Sequence, residues 1–292
     1  MNILLLGKNG QLGWELQRSL SVLGRVTALG HAEADFAQPD AVAQAVRALR
    51  PDVIVNAAAH TAVDKAESEP AHARLLNATT PGRLAQEAAQ LGTWLVHYST
   101  DYVFDGSGDQ PWREQDATGP LSVYGATKLE GEQLIQQSGC QHLILRTSWV
   151  YAARGGNFAK TMLRLASERD CLTVIDDQWG APTGADLLAD VTAHAIRHLQ
   201  ARPQDGGLYH CAASGQTTWH SYAKYVIAQA RQAQPAIQIK AKEIAPIPTS
   251  AYPTPAWRPL NSRLDCGRLQ ATFGLTLPDW QQGVARMLAE IL

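Results

Sequence analysis

Tyr124 and Lys128 stand four residues apart in the run Tyr124-Gly125-Ala126-Thr127-Lys128. On a helix this spacing brings a phenol and an ammonium to one face. A cation beside a phenol favours the phenolate, which makes the tyrosine a better proton donor or acceptor near neutral pH. Upstream, the apolar run from Trp94 to Tyr98 opens into Ser99-Thr100-Asp101, two hydroxyls and a carboxylate at an expected strand end. Tyr124, Lys128 and a strand-end hydroxyl together suit acid–base work on an oxygen that gains or loses a proton.

Such groups need a scaffold, and the chain reads as one built for a dinucleotide. Asn2-Ile3-Leu4-Leu5-Leu6 is a continuous apolar run, the pattern of a strand buried on both faces. It ends in Gly7-Lys8-Asn9-Gly10-Gln11-Leu12-Gly13, and Trp14 to Leu23 then has helical periodicity. Strand, glycine turn and helix are the context of a dinucleotide fingerprint, with the helix N-terminus offering N–H groups to phosphate. A tight turn without a ligand is the plainer alternative. Arg25 to Leu29 forms the next strand, followed by Gly30-His31, and the next acids are Glu33 and Asp35. With no carboxylate at the strand end to repel a 2′-phosphate, NADPH is favoured and NADH is not excluded.

Val53-Ile54-Val55 is a third strand, and the small residues of Asn56-Ala57-Ala58-Ala59-His60-Thr61 would let an adenine and ribose approach the backbone. Ala62 to Glu67 reads as a solvated turn, Pro70 to Leu91 as one long helix, and Leu121 to Gln137 as the helix carrying Tyr124 and Lys128. His142 to Leu145 is a fifth strand. The alternation predicts an α/β, Rossmann-like, doubly wound parallel sheet. Residues 1–150 are expected to bind the dinucleotide. Residues 151–292 form a smaller, mixed, mainly substrate-binding part, with some of the later chain returning to the first unit.

In that second part Arg258 sits in a proline-rich, extended stretch from Ala245 to Leu260. A planar guanidinium there suits a nucleotide diphosphate or an ordinary ion pair equally. Asn157 and Gln178 are polar loop residues, candidates for hydroxyl contacts with a substrate or ordinary solvated loop positions. Asp186 and Asp190, at i and i+4 on an expected helix, suit either a divalent cation or a solvated acidic face.

The chain has 292 residues, 45% hydrophobic and 18% charged, with a net charge of −2, which is ordinary for a globular protein and gives no basic face for nucleic acid. Cys140, Cys171, Cys211 and Cys266 are widely separated and are expected to be reduced thiols, as in a cytoplasmic protein. No signal peptide and no membrane span are expected.

The glycine turn, the strand-end Ser99-Thr100 and the Tyr124/Lys128 pair resemble the extended short-chain dehydrogenases/reductases. Within them, the chain resembles the dTDP-4-dehydrorhamnose reductase family. The stretches that carry this are Asn56 to Glu67, Ser99-Thr100-Asp101-Tyr102-Val103-Phe104, Tyr124 to Lys128, Arg146-Thr147-Ser148-Trp149-Val150-Tyr151, Asp177 to Thr183 and Arg258-Pro259-Leu260-Asn261-Ser262. The resemblance implies hydride transfer from NADPH to C4 of a 4-keto nucleotide sugar. It implies that Tyr124 gives the proton, Lys128 lowers its pKa and bonds the nicotinamide ribose, and Thr100 bonds the reacting oxygen. Asp101 and Trp149 match substrate contacts. Gly10, Gln11, Leu12, Asp35, Phe36, Ala59, His60 and Thr61 match positions lining the cofactor. Some members place Mg2+ at a homodimer interface with acids matching Glu15, Asp186 and Asp190. Two alternatives remain at this stage, an NAD-retaining epimerase or dehydratase and a regulatory subunit that binds dinucleotide without turnover. Tyr102 after Asp101 counts against a dehydratase, and the intact Tyr124, Lys128 and Thr100 count against a pure binding module.

Overall fold

The computed structural model describes residues 1–233 and 237–292. The strands are β1 (Asn2–Leu6), β2 (Arg25–Leu29), β3 (Val53–Asn56), β4 (Trp94–Thr100), β5 (His142–Thr147), β6 (Val150–Tyr151), β7 (Cys171–Ile175), β8 (Trp179–Gly180), β9 (Thr183–Gly184), β10 (Gly207–His210), β11 (Thr217–Thr218) and β12 (Glu243–Ile247). The helices are α1 (Gln11–Leu20), α2 (Pro39–Leu49), α3 (Val63–Ser68), α4 (Pro70–Arg74), α5 (Thr80–Leu91), α6 (Val123–Gln137), α7 (Phe158–Glu168), α8 (Ala185–Ala201), α9 (Trp219–Ala233), α10 (Gly267–Phe273) and α11 (Trp280–Ile291). None of the helices in the described residues is long and apolar enough to cross a membrane.

The central sheet runs β10-β5-β4-β3-β1-β2, with every pair parallel. Side chains alternate across it. Ile3 and Leu5 of β1 join a core with Leu16 and Leu20 of α1 and Leu188 of α8. Leu4 and Leu6 join the opposite core with Val42 and Val46 of α2, Leu84 and Ala88 of α5 and Ile135 of α6. Two buried faces explain why these strands are uninterrupted apolar runs. Strand β10 comes from the second half of the sequence and extends this sheet beside β5.

Two local readings change. The segment taken for a charged turn is helix α3, whose Ala66 is buried and whose Glu67 carboxylate accepts the N–H of Val123 at the start of α6. The long helix from Pro70 to Leu91 is interrupted by a π-helical turn, Leu75–Thr79. Pro81 has no N–H to give the helical ladder, and the turn just before it carries Asn77 inward. There the Asn77 amide bonds the backbone N–H and C=O of His60 and the Thr127 hydroxyl.

Helix α6 is fixed at both levels. The Ser122 hydroxyl caps its start by accepting from Gly125 N at 3.1 Å. Deeper, Arg146 of β5 reaches Glu132 in a buried two-point ion pair at 2.9 and 2.6 Å. The later chain builds smaller cores. β7 and β12 pair in parallel, and α7, α9 and α11 pack around Tyr222, Val226 and Trp280. The stretch expected to be extended therefore contains part of a strand, with Pro246 tolerated because β12 has only one neighbour.

Candidate active site

Along the C-terminal ends of the parallel strands lies a cleft of ≈ 730 Å³. Its floor at one end is the glycine turn. Gly7 has φ +87°, and a Cβ there would lie 2.8 Å from the Ala57 backbone. A Cβ on Gly13 would meet the Gly7 carbonyl at 2.0 Å, so Gly13 serves the packing of α1 on β1 and does not line the cleft. Gly10 is the N-cap of α1 and supplies no side-chain cap, which leaves the first N–H groups of the helix free for an anion. These features fit a dinucleotide pyrophosphate.

Gly7, Gly10, Gln11, Leu12, Phe36, Ala59 and Thr61 line the cleft. His60 does not: its backbone is held by Asn77, and its ring is buried edge-on to His72. Asp35 also turns aside, accepting the Ala37 N–H and pairing with His31. One expectation is corrected. A carboxylate does stand at the end of β2, because a turn folds Glu33 back to accept the Gly30 N–H at 2.8 Å, with Lys8 on its other oxygen at 2.5 Å.

At the other end of the cleft Tyr124 meets the end of β4. Its phenol stands beside the Thr100 hydroxyl, which donates to Asp101 at 3.0 Å, and Ser262 is a neighbour of the Asp101 carboxylate. Burial holds the Tyr124 phenol up at about 12, with the neighbouring Thr100 hydroxyl pulling it down and the Asp101 charge pushing it up. The expected depression by Lys128 is not seen: Lys128 is not among the groups that shift the phenol, because its ammonium turns to β4. Lys128 is 2% exposed and turns to β4, donating to the Tyr98 carbonyl at 2.5 Å and standing 3.3 Å from His97 Nε2. Burial lowers the ammonium to about 8, against the pull of the Glu132 charge. Burial raises the Asp101 carboxyl to about 6, and its second oxygen has no protein partner.

Trp149 lines the same end of the cleft in a left-handed backbone conformation, φ +49°. Its ring stacks on Trp219 at 3.6 Å between centroids and lies against Gly180, where a Cβ would sit 2.7 Å away. Trp219, and Tyr102 edge-on to Tyr124, also border a second cavity of ≈ 380 Å³ that holds Gln178 and Arg258. Sequence reasoning did not single out Trp219 or His97 as site residues, because no spacing connects them to the Tyr124 helix.

Arg258 forms a two-point ion pair with Asp64 of α3 at 3.0 and 2.8 Å, so the ion-pair alternative is realised. Both ends of the Gln178 amide are engaged, by Thr249 and by the Trp219 indole N–H. Asn157 caps α7 through Lys160 N and donates to the Ala152 carbonyl and to Gln11. Both N–H donors of Asn157 are committed within the protein, whereas Gln178 uses one of its two.

The three acids proposed for Mg2+ do not fit a cation as they stand. Glu15 and Asp190 pair with Arg18, Asp190 also accepts from Ser19, and Asp186 pairs with Arg286. No group of three His, Cys, Asp or Glu able to hold a metal occurs among the described residues.

The profile of the family described as RmlD substrate binding domain matches residues 1–292. The chain is 61% identical to the dTDP-4-dehydrorhamnose reductase of Salmonella typhimurium and 60% to that of Shigella flexneri, covering 100% of this chain and 98% of each relative. Among solved structures, a dTDP-4-dehydrorhamnose reductase from Clostridium acetobutylicum superposes with TM-score 0.90 at 34% identity, covering 100% of this chain and 99% of that one. The enzyme of the same name from Bacillus anthracis, solved in complex with NADP, gives TM-score 0.88 at 32% identity and 99% coverage of both chains. A UDP-glucose 4-epimerase from Thermus thermophilus, at 19% identity and TM-score 0.80, shares the fold. With its parallel sheet, glycine turn and Tyr124 helix, the chain belongs to the dTDP-4-dehydrorhamnose reductase family, an NADPH-dependent oxidoreductase family.

Proposed function

We propose that this protein reduces the 4-keto group of dTDP-4-dehydro-L-rhamnose to form dTDP-L-rhamnose, with Tyr124 as proton donor. The observation that carries the reading is that Tyr124, Thr100 and Lys128 line one end of a cleft whose other end is the glycine turn. NADPH supplies the hydride when bound, and the family member from Bacillus anthracis is a structure with NADP. Gly7, Gly10 and the first N–H groups of α1 hold its pyrophosphate, and Phe36, Ala59 and Thr61 shape the adenosine end. Residues 1–150 form this dinucleotide unit, and residues 151–292 mainly receive the sugar nucleotide.

The proton logic follows from the geometry. A phenol held at about 12 is fully protonated at neutral pH, the state a donor needs. Thr100 positions the sugar oxygen beside the phenol and stabilises the charge that develops on it. As Tyr124 releases its proton, the Lys128 ammonium stabilises the phenolate. Asp101 and Trp149 contact the sugar, and Arg258 engages the diphosphate by giving up part of its bond to Asp64. No step requires a metal. The test is direct: purified protein, NADPH and dTDP-4-dehydro-L-rhamnose lose nicotinamide absorbance and yield dTDP-L-rhamnose. Protein that binds NADPH but never oxidises it with this substrate contradicts the reading.

A further inference from the structure

Beneath the Tyr124–Lys128 pair lies a polar group that the proposed reaction does not use. His97, on β4, is 1% exposed and sits between Val96 and Tyr98 in the strand. Its two ring nitrogens face two side chains: Nδ1 lies 3.1 Å from Asn56 Nδ2, and Nε2 lies 3.3 Å from Lys128 Nζ. The orientation of Asn56 is set independently, since its Oδ1 accepts the Ala58 N–H at 3.1 Å. Asn56 therefore presents an N–H to His97, and Nδ1 must be the acceptor. A neutral imidazole carries one proton, so that proton lies on Nε2 and points at Lys128.

An ammonium has three donors and no acceptor, whereas a neutral amine offers a lone pair. The Nε2–H therefore meets the amine form of Lys128 without conflict and opposes the charged form. The Tyr98 carbonyl accepts from either form. Burial and the Lys128 charge keep the imidazole itself from protonating.

We propose that His97 is a positioning residue: Asn56 locks its proton on Nε2, and that N–H limits the pH range over which Lys128 keeps its charge. The inference rests on the reductase reading only in making Lys128 charge matter for turnover. The other ionisable groups around Lys128 are few. On α6 they are Tyr124 and Glu132, whose charge favours the Lys128 ammonium although it is paired with Arg146 of β5. The turn after β4 brings Asp101 and Tyr102, and the pairs Arg74–Glu130 and Lys65–Glu69 lie toward solvent.

The test combines 15N NMR of the imidazole with pH–rate profiles. Wild-type protein should show an unprotonated Nδ1 and a protonated Nε2 for His97 from about pH 6 to about pH 9. The activity limb set by Lys128 falls as pH rises. In His97→Gln, which can turn an amide oxygen toward Lys128, that limb should move up by about one pH unit, a tenfold gain above the limb. Asn56→Ala frees Nδ1, so it should give mixed tautomers and the same upward shift, and it serves if His97→Gln fails to fold. A proton found on Nδ1 of the wild type, or an unmoved limb in a folded variant, overturns the proposal. The tautomer needs neither substrate nor turnover, so protein that fails to reduce dTDP-4-dehydro-L-rhamnose yet shows Nε2–H would fail the functional reading alone.

Discussion

The strand-end layer of the main sheet and the lobe formed by α7, α9, α11 and the β7–β12 pair hold their polar side chains differently. In the sheet layer, several groups hold backbone atoms near the strand ends: Lys128 the Tyr98 carbonyl, Asn56 the Ala58 N–H, Thr100 the Tyr102 N–H. In the lobe, side chains hold one another: Trp149 on Trp219, Gln178 between Thr249 and Trp219, Arg258 on Asp64. The first arrangement keeps donors fixed before any ligand arrives, which proton transfer needs. The second can rearrange at the cost of a few side-chain contacts, which suits a surface that must admit a large substrate.

If the sheet layer is the rigid one, cutting its anchor should be the most damaging change. Glu132→Ala leaves Arg146 buried and unpaired and should cost about 3–5 kcal/mol in chemical denaturation. A loss below about 1 kcal/mol would mean that the pair does not anchor α6. A smaller effect, with a pH signature, is expected at Asp101. Its carboxyl rises from 3.8 to about 6 on folding, so the folded chain holds the proton more tightly. Wild-type stability should therefore fall as pH rises from about 4 to about 6, by about 3 kcal/mol in all. Asp101→Asn should remove this slope, which thermal melts across that range would show.

On the lobe side, Gly180→Ala drives a methyl against the Trp149 ring. It should raise KM for the nucleotide sugar, with a cost of about 1–3 kcal/mol, while NADPH affinity stays near wild type. Equal losses for both ligands would erase the contrast between the two regions. The smallest effect concerns Glu33 at the end of β2. Glu33→Gln removes a negative charge from the strand end and should shift the kcat/KM ratio severalfold toward NADPH over NADH.

The sheet was legible because burial on both faces requires continuous apolar runs such as Ile3 to Leu6, and because a glycine turn between strand and helix has few other uses. Tyr124, Lys128 and Thr100 were legible because helical spacing and a strand end bring them together. His97 was not, since a histidine inside a strand gives no sign of what its ring will face. The Arg258–Asp64 pair joins residues 194 positions apart, and nothing local connects them. Glu33 reaches the end of β2 only through a tight turn at Gly30. Two-residue strands such as β8 and β9 carry no periodicity at all, so the aromatic stack they support became visible only in three dimensions.

The central claim is that Tyr124 donates the proton during reduction of the 4-keto sugar. Single-turnover mixing of the NADPH-loaded protein with dTDP-4-dehydro-L-rhamnose tests it, comparing wild type with Tyr124→Phe. We expect the variant to bind NADPH normally and to reduce the sugar about 10²–10⁴-fold more slowly. Reduction within about tenfold of the wild-type rate would contradict the assignment.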